Sequence, residues 1–306
     1  MIIKTKITIF FLLLSFFTLI AAGKSQTIPA EKLARVVVFL RHQSQAYEIK
    51  GGERFDVWYK KQAAKEAYEP KLITQSGTGF IIRYEAHDYV VTAKHVAEFL
   101  SNDAELVMNV PAGKTISVTF NYMEKSKKVP GAKWFVHPSA DIAIHPIVSP
   151  QKIDHAHFPS NEIPETDEPI PLLSTVYVVG FPFGLGVHDR LNPIAKKAQV
   201  GSTITSLEAL NVRRDLKFLL LDQALAQGYS GAPVFYVEDL LVPDIKLGDK
   251  PFIKGGERIH LIGILAAQIS DDKGGKISAV VPISYLWEIL HSADFMEYQK
   301  NITFFP

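Results

Sequence analysis

The chain has 306 residues, with 33 Lys+Arg against 32 Asp+Glu, and so small a net charge excludes the usual basic partner of nucleic acid. Hydrophobic residues make up 47%, which supports a sizeable core and excludes a disordered chain. There are no cysteines, so stability outside the cell would rest on the core rather than on disulfides.

The chain starts with the short basic stretch MIIKTK, followed by an apolar run over 7–22 with small residues at Ala21 and Gly23. This pattern predicts a secretory signal peptide over 1–23, ahead of an uncleaved membrane anchor as the alternative, because the run falls short of the about 20 residues a bilayer span needs. Its removal takes Lys4 and Lys6 and no acid, moving the net charge from +1 to −1. The expected location is periplasmic or extracellular. No cysteine lies near the cut, so a lipid anchor is excluded, and no stable membrane association is expected after cleavage.

Apolar and alternating runs predict strands at 35–40, 77–83, 89–93, 106–110, 116–122, 133–137 and 141–147. Residues 45–72 are mixed and charged, a helix or an inserted loop around YKKQAAKEAY. Residues 150–170 carry Pro159, Pro164 and Pro169 among acids and read as a linker. Strands resume at 174–181, 202–207, 218–223, 233–237, 259–268 and 277–283, and 284–299 has helical spacing. Many short strands and few helices predict an all-β fold. The expected architecture is two six-stranded antiparallel β-barrels, over 24–165 and 166–306, the second ending in a helix.

The stretch DQALAQGYSGAPVF sets Ser230 between glycines, with Pro233 close behind. A nucleophilic serine needs such a setting, because the backbone must turn sharply and free its N–H groups. It also needs a base, and the base an orienting carboxylate. His95 follows the predicted strand YVVTA, a rigid place to mount a base. Asp141 stands at the head of an apolar strand, where an acid needs a partner. For Asp141 alone, a plain turn aspartate is an equal reading.

Together GTGFII…YVVTAKHV, ADIAIHPI and QGYSGAPVF resemble the His, Asp and Ser blocks of trypsin-like serine proteases, in that family's order. VYVVGFPFGLG (176–186) and HLIGILAAQ (260–268) resemble further blocks of the cysteine-free bacterial branch, the HtrA-like and glutamyl-endopeptidase-like enzymes. The resemblance spans about residues 35–290. It implies a serine endopeptidase with Ser230 as nucleophile, His95 as base and Asp141 as orienting acid. The N–H groups of Gly228 and Ser230 would form the oxyanion hole, with Gly228 supplying the unusual φ. It implies no cofactor, no metal, and a protein or peptide substrate.

The resemblance puts the pocket floor six residues before the nucleophile, at Ala224, and its walls at Ala266, Ala267 and Gln268. Leu265 stands where glutamate-cutting relatives carry a histidine. No charge is supplied, so cleavage after small or medium apolar residues is expected. A shift caused by the insertion at 238–258 would instead bring Lys276 to the floor. Tyr229 and Ala232 depart from the usual motif, which keeps a catalytically inactive trypsin-fold binding protein as the alternative. An α/β-hydrolase elbow would require a helix after Ser230, and Pro233 with VFYV argues against it. His145, Asp154, His155 and His157 could hold an ion, but solvated loop histidines fit their context better. His137 reads as a strand-end residue.

Overall fold

The computed structural model describes residues 34–48, 54–56, 69–110, 114–148, 156–167, 169–208, 215–240, 245–247, 250–252, 256–270 and 275–302. The signal-peptide expectation and YKKQAAKEAY (59–68) lie outside these. Among the described residues no helix is long and apolar enough to cross a membrane.

The first sheet contains β1 (Val37–Glu48), β2 (Arg54–Asp56), β3 (Glu69–Tyr84), β4 (His87–Thr92), β5 (Glu105–Val110), β6 (Lys114–Thr119), β7 (Phe135–Val136), β8 (Ala143–Pro146) and β9 (Phe158–Pro159). Its ladder runs β6-β5-β1-β3-β4-β8-β7, with β2 added to β1 and β9 added parallel to β3. Helix α1 (Lys94–Phe99) follows β4, and α2 (Phe120–Glu124) follows β6. The expectation of a strand to residue 122 fails here. Thr119 accepts a hydrogen bond from the Tyr122 amide and caps a helical turn. Phe120 at its head packs on Trp134, just before β7, so the two ends of the ladder approach each other.

The second sheet contains β10 (Thr175–Gly180), β11 (Ile194–Gln199), β12 (Thr205–Glu208), β13 (Asp215–Leu221), β14 (Pro233–Leu240), β17 (Gly256–Ser270) and β18 (Lys276–Pro282), in the order β11-β10-β14-β17-β18-β13-β12. Val200, just past β11, bridges back to Leu221 of β13. Six strands therefore close into a barrel, and β12 is an appendage. Its core holds Val176, Val178, Ala198, Leu219, Val234 and Val280, alternate residues of neighbouring strands. Burying them supplies the main driving force. A separate two-stranded sheet pairs β15 (Ile245–Leu247) with β16 (Lys250–Phe252).

The C-terminal helix is two helices, α3 (Ser284–Leu290) and α4 (Ala293–Asn301). The break falls where the Ser292 side chain accepts from the Phe295 amide, a new N-cap. Phe295 is fully buried against Phe135 at 5.1 Å and Tyr89 at 5.4 Å. Helix α4 thus packs on the first barrel, while the Tyr285 hydroxyl of α3 accepts from Lys217 N of β13 in the second.

Candidate active site

His95 is the second residue of α1, one turn past the buried end of β4. Asp141 sits in the turn before β8, on the neighbouring strand. The Asp141 carboxylate holds the histidine twice. Oδ1 accepts from the His95 backbone amide at 2.9 Å, and Oδ2 lies 2.7 Å from Nδ1. An ionised carboxylate only accepts, so Nδ1 carries the proton and Nε2 is left as the basic nitrogen. The imidazole is about half open to solvent, with 45% of its side chain exposed. Burial lowers its pKa, but the Asp141 hydrogen bond, the Asp141 charge and the Glu98 charge raise it, and the net is above the ordinary value.

Ser230 is half-buried in the turn before β14. Its carbonyl accepts from the Thr78 amide on β3 at 2.9 Å. The next residue, Gly231, donates to the Leu265 carbonyl, and a Cβ added there would lie 2.9 Å from Ala93 N, two residues before His95. The serine turn is therefore wedged against the strand end that carries the histidine. No hydrogen bond joins Ser230 to His95 among the described residues. Such bonds commonly tighten only when substrate binds.

Two carbonyls of this turn are tied away. Gln227 O accepts from Phe183 N at 2.8 Å, and Gly228 O accepts from the Thr78 hydroxyl at 2.7 Å. In a planar trans peptide the N–H points opposite the C=O, so the Gly228 N–H faces away from the Phe183 turn. Gly228 has φ +98°, and an added Cβ would strike the Phe181 carbonyl, so only glycine fits. Among the described residues neither Gly228 N–H nor Ser230 N–H has an acceptor.

The pocket residues are less uniform than expected. Ala224 is half-buried, and its segment is pinned by the buried Ser278, whose hydroxyl donates to Gln223 O at 2.7 Å and accepts from Leu225 N at 3.1 Å. Lys196 of β11 places Nζ 3.3 Å from Ala224 O and so sets a cation beside the expected floor. Lys276 is exposed at the start of β18, paired with Ser270. The Leu265 side chain is in the core cluster with Tyr229, and it is the Leu265 backbone that brackets Gly231 and Ala232. Ala266 is buried at a β-bulge, and Ala267 and Gln268 are exposed. The groove lined by Asp167, Pro169, Ile170 and Ile204 contains none of these residues.

Tyr229 points away from the serine into the second core, where its hydroxyl donates to Ile194 O at 3.2 Å. His145 is buried between Phe120 and Trp134, with Nδ1 donating to Pro146 O. Asp154 and His155 lie outside the described residues. Among the described residues no group of three or more His, Cys, Asp or Glu could hold a metal. Sequence reasoning missed Thr78, Ser278 and Lys196. For Thr78 and Ser278 a signal existed, a lone hydroxyl inside an apolar strand, which needs a partner when buried.

A profile of the trypsin-like peptidase domain matches residues 77–242, over half of the chain and across all three blocks that carry His95, Asp141 and Ser230. The chain belongs to the trypsin-like peptidase domain family. Membership supports a protease hydrolase. No curated protein matches it in sequence. Among solved structures it is similar to the HtrA-type protease AlgW with tripeptide, at 17% identity and TM-score 0.47, covering 86% of this chain and 61% of that one. It is also similar to the MamO protease domain from Magnetospirillum magneticum, at 13% identity and TM-score 0.47, covering 85% and 98%. The chain thus spans less than two thirds of the AlgW chain.

Proposed function

We propose that this trypsin-like domain is an exported serine endopeptidase. The observation that carries the reading is the double grip of Asp141 on His95, beside a serine turn whose two N–H groups lack acceptors among the described residues. Ser230 Oγ attacks the scissile carbonyl and gives its proton to His95 Nε2. The carbonyl oxygen becomes an oxyanion held by the N–H groups of Gly228 and Ser230, where loss of one such donor typically costs about 10²–10³ in kcat. His95 then passes the proton to the leaving amine, and the acyl-enzyme forms. Water, deprotonated by the same imidazole, releases the acid and restores Ser230. Asp141 fixes the tautomer and stabilises the imidazolium.

For specificity we propose cleavage after small or medium apolar residues, supported by the absence of a side-chain charge at Ala224 and the small side chains of Ala266 and Ala267. A peptide-library digest tests this, and dominant cuts after Arg, Lys, Asp or Glu contradict it. Export is supported by the apolar run at 7–22 after a basic start. The test of the central reading is a fluorophosphonate probe on the mature protein at neutral pH. Labelling that vanishes in Ser230→Ala and weakens in His95→Ala supports it. A folded protein that stays unlabelled is instead an inactive binding protein of the same fold.

A further inference from the structure

His137 lies one residue beyond β7 and is only 4% exposed. Its Nδ1 is 2.7 Å from the Ala140 amide and 3.2 Å from the Ser139 amide. Both are donors, so Nδ1 accepts both and holds no proton. The ring proton is therefore on Nε2, which donates to Glu288 Oε2 of α3 at 3.0 Å. Tyr285 of the same helix packs edge-on against the ring at 4.9 Å. The main chain closes the turn as well, since His137 N donates to Ile142 O and Ile142 N to Ala140 O, each at 3.0 Å. The residue inside this turn, next to Ala140, is Asp141.

We propose that His137 is a positioning residue: its imidazole fixes the turn that presents Asp141 to His95, and Glu288 on the C-terminal helix fixes the imidazole. The chain of contacts runs from Glu288 to His137 Nε2, through Nδ1 to the turn amides, and through the Asp141 carboxylate to both N–H groups of His95. A carboxylate displaced by a fraction of an ångström cannot keep both His95 bonds at 2.7 and 2.9 Å. The role of this device in catalysis rests on the endopeptidase reading above, but its effect on His95 does not. Among the described residues the charged and titratable groups in contact with His137 are Glu288 and Tyr285 from α3, and Lys94 of α1, whose Nζ is 3.4 Å from the His137 carbonyl. Those acting on His95 are Asp141 and Glu98.

Three variants of the full chain test this. His137→Phe keeps a ring and removes the acceptor. His137→Asn returns an acceptor to the place of Nδ1 without the ring, as asparagine does when it caps its own turn. Glu288→Ala removes the outer anchor at a side chain 59% exposed, where folding is not at stake. The first readout is the NMR titration of His95 together with its Nδ1–H resonance, which needs no turnover. In His137→Phe the resonance broadens by exchange and the midpoint falls. In His137→Asn both return toward wild type, and Glu288→Ala moves them part of the way. The second readout is kinetic: kcat falls about ten- to a hundredfold in His137→Phe, while KM stays within about twofold. An unchanged His95 titration in folded His137→Phe overturns the proposal. If that variant does not fold, an unchanged titration in Glu288→Ala overturns it. A shifted titration in a protein that hydrolyses nothing and takes up no probe would leave the positioning role standing and remove the endopeptidase reading.

Discussion

His145 offers a direct measurement of what the first barrel core costs to titrate. It sits on β8, four residues after Asp141, edge-on to Phe120 at 5.0 Å and against Trp134 at 5.1 Å. Nδ1 donates to Pro146 O at 2.6 Å, and among the described residues Nε2 has no partner. Protonation would place a cation and an unsatisfied N–H among aromatic rings, and burial accordingly lowers its pKa to about 4. The folded protein keeps His145 neutral while the unfolded chain takes up a proton near pH 6.5. Stability from this group is therefore complete above about pH 6.5. It is lost as pH falls from there toward 4. Integrating the proton uptake between pH 7.5 and 5 gives a loss of about 2 kcal/mol, and completing it below pH 4 gives about 3 kcal/mol. His145→Leu removes the titration and fills the site with an apolar side chain. Urea unfolding of both proteins at pH 7.5, 6 and 5 reads the difference, and contributions from other histidines cancel. Relative to its own value at pH 7.5, the native protein should weaken more than the variant by about 2 kcal/mol at pH 5, or roughly 4–8 °C in Tm. A difference between the two proteins that is flat across this range would refute the argument.

Other outcomes follow from single contacts. The acid limb of kcat/KM should lie above the ordinary imidazole value, near 6.5, because His95 is raised and must be neutral to act; a rate that peaks at pH 4 contradicts its role. Thr78→Val removes the hydroxyl that holds Gly228 O and accepts from Phe181 N, leaving two buried groups unpaired at about 1–3 kcal/mol each and lowering kcat. Thr78→Ser should restore both stability and rate, as read by urea unfolding and peptide hydrolysis. Phe295→Ala empties the contact of α4 with Phe135 and Tyr89 and should cost about 3–5 kcal/mol in chemical unfolding.

Much of this protein was legible in the sequence where burial imposes a period. Strands such as YVVTA and ISAVV bury consecutive or alternate side chains, and their apolar runs say so. β11 was missed because IAKKAQ buries only Ala198, with Lys196 half-buried, which leaves no period to read. The break between α3 and α4 turned on Ser292, a single capping side chain inside an otherwise helical run. Of the site, His95 stood out by its place at a strand end, Asp141 only once the three blocks together resembled a family, and the structure brings the two into contact. The residues that support them did not stand out. His137, Thr78 and Ser278 act through bonds to backbone groups 2 to about 150 residues away. A lone hydroxyl in an apolar strand, as at Thr78 and Ser278, signals that a partner is needed, but no local pattern records which one.

The two departures from the usual serine motif have a common physical accommodation. Tyr229 replaces a small polar residue, yet its ring is 2% exposed because it fills the second barrel core rather than the space beside Ser230. Ala232 replaces glycine, and its methyl group is buried in the same cluster. The room for both is on β10. A Cβ added at Gly180 would lie 2.9 Å from the Tyr229 ring and 3.2 Å from the Ala232 methyl. It would also lie 2.7 Å from the Thr78 hydroxyl, the group that holds Gly228 O. The volume added at 229 and 232 is thus matched by volume withheld at 180, and the Thr78 bond survives between them. The same exchange lets the Tyr229 backbone complete the turn, donating to Ala226 O while Tyr229 O accepts from Ala232 N at 2.8 Å. Substitutions that look damaging when set against a motif are neutral to the turn here, because the side chains point into a core shaped to take them and only the backbone faces the serine.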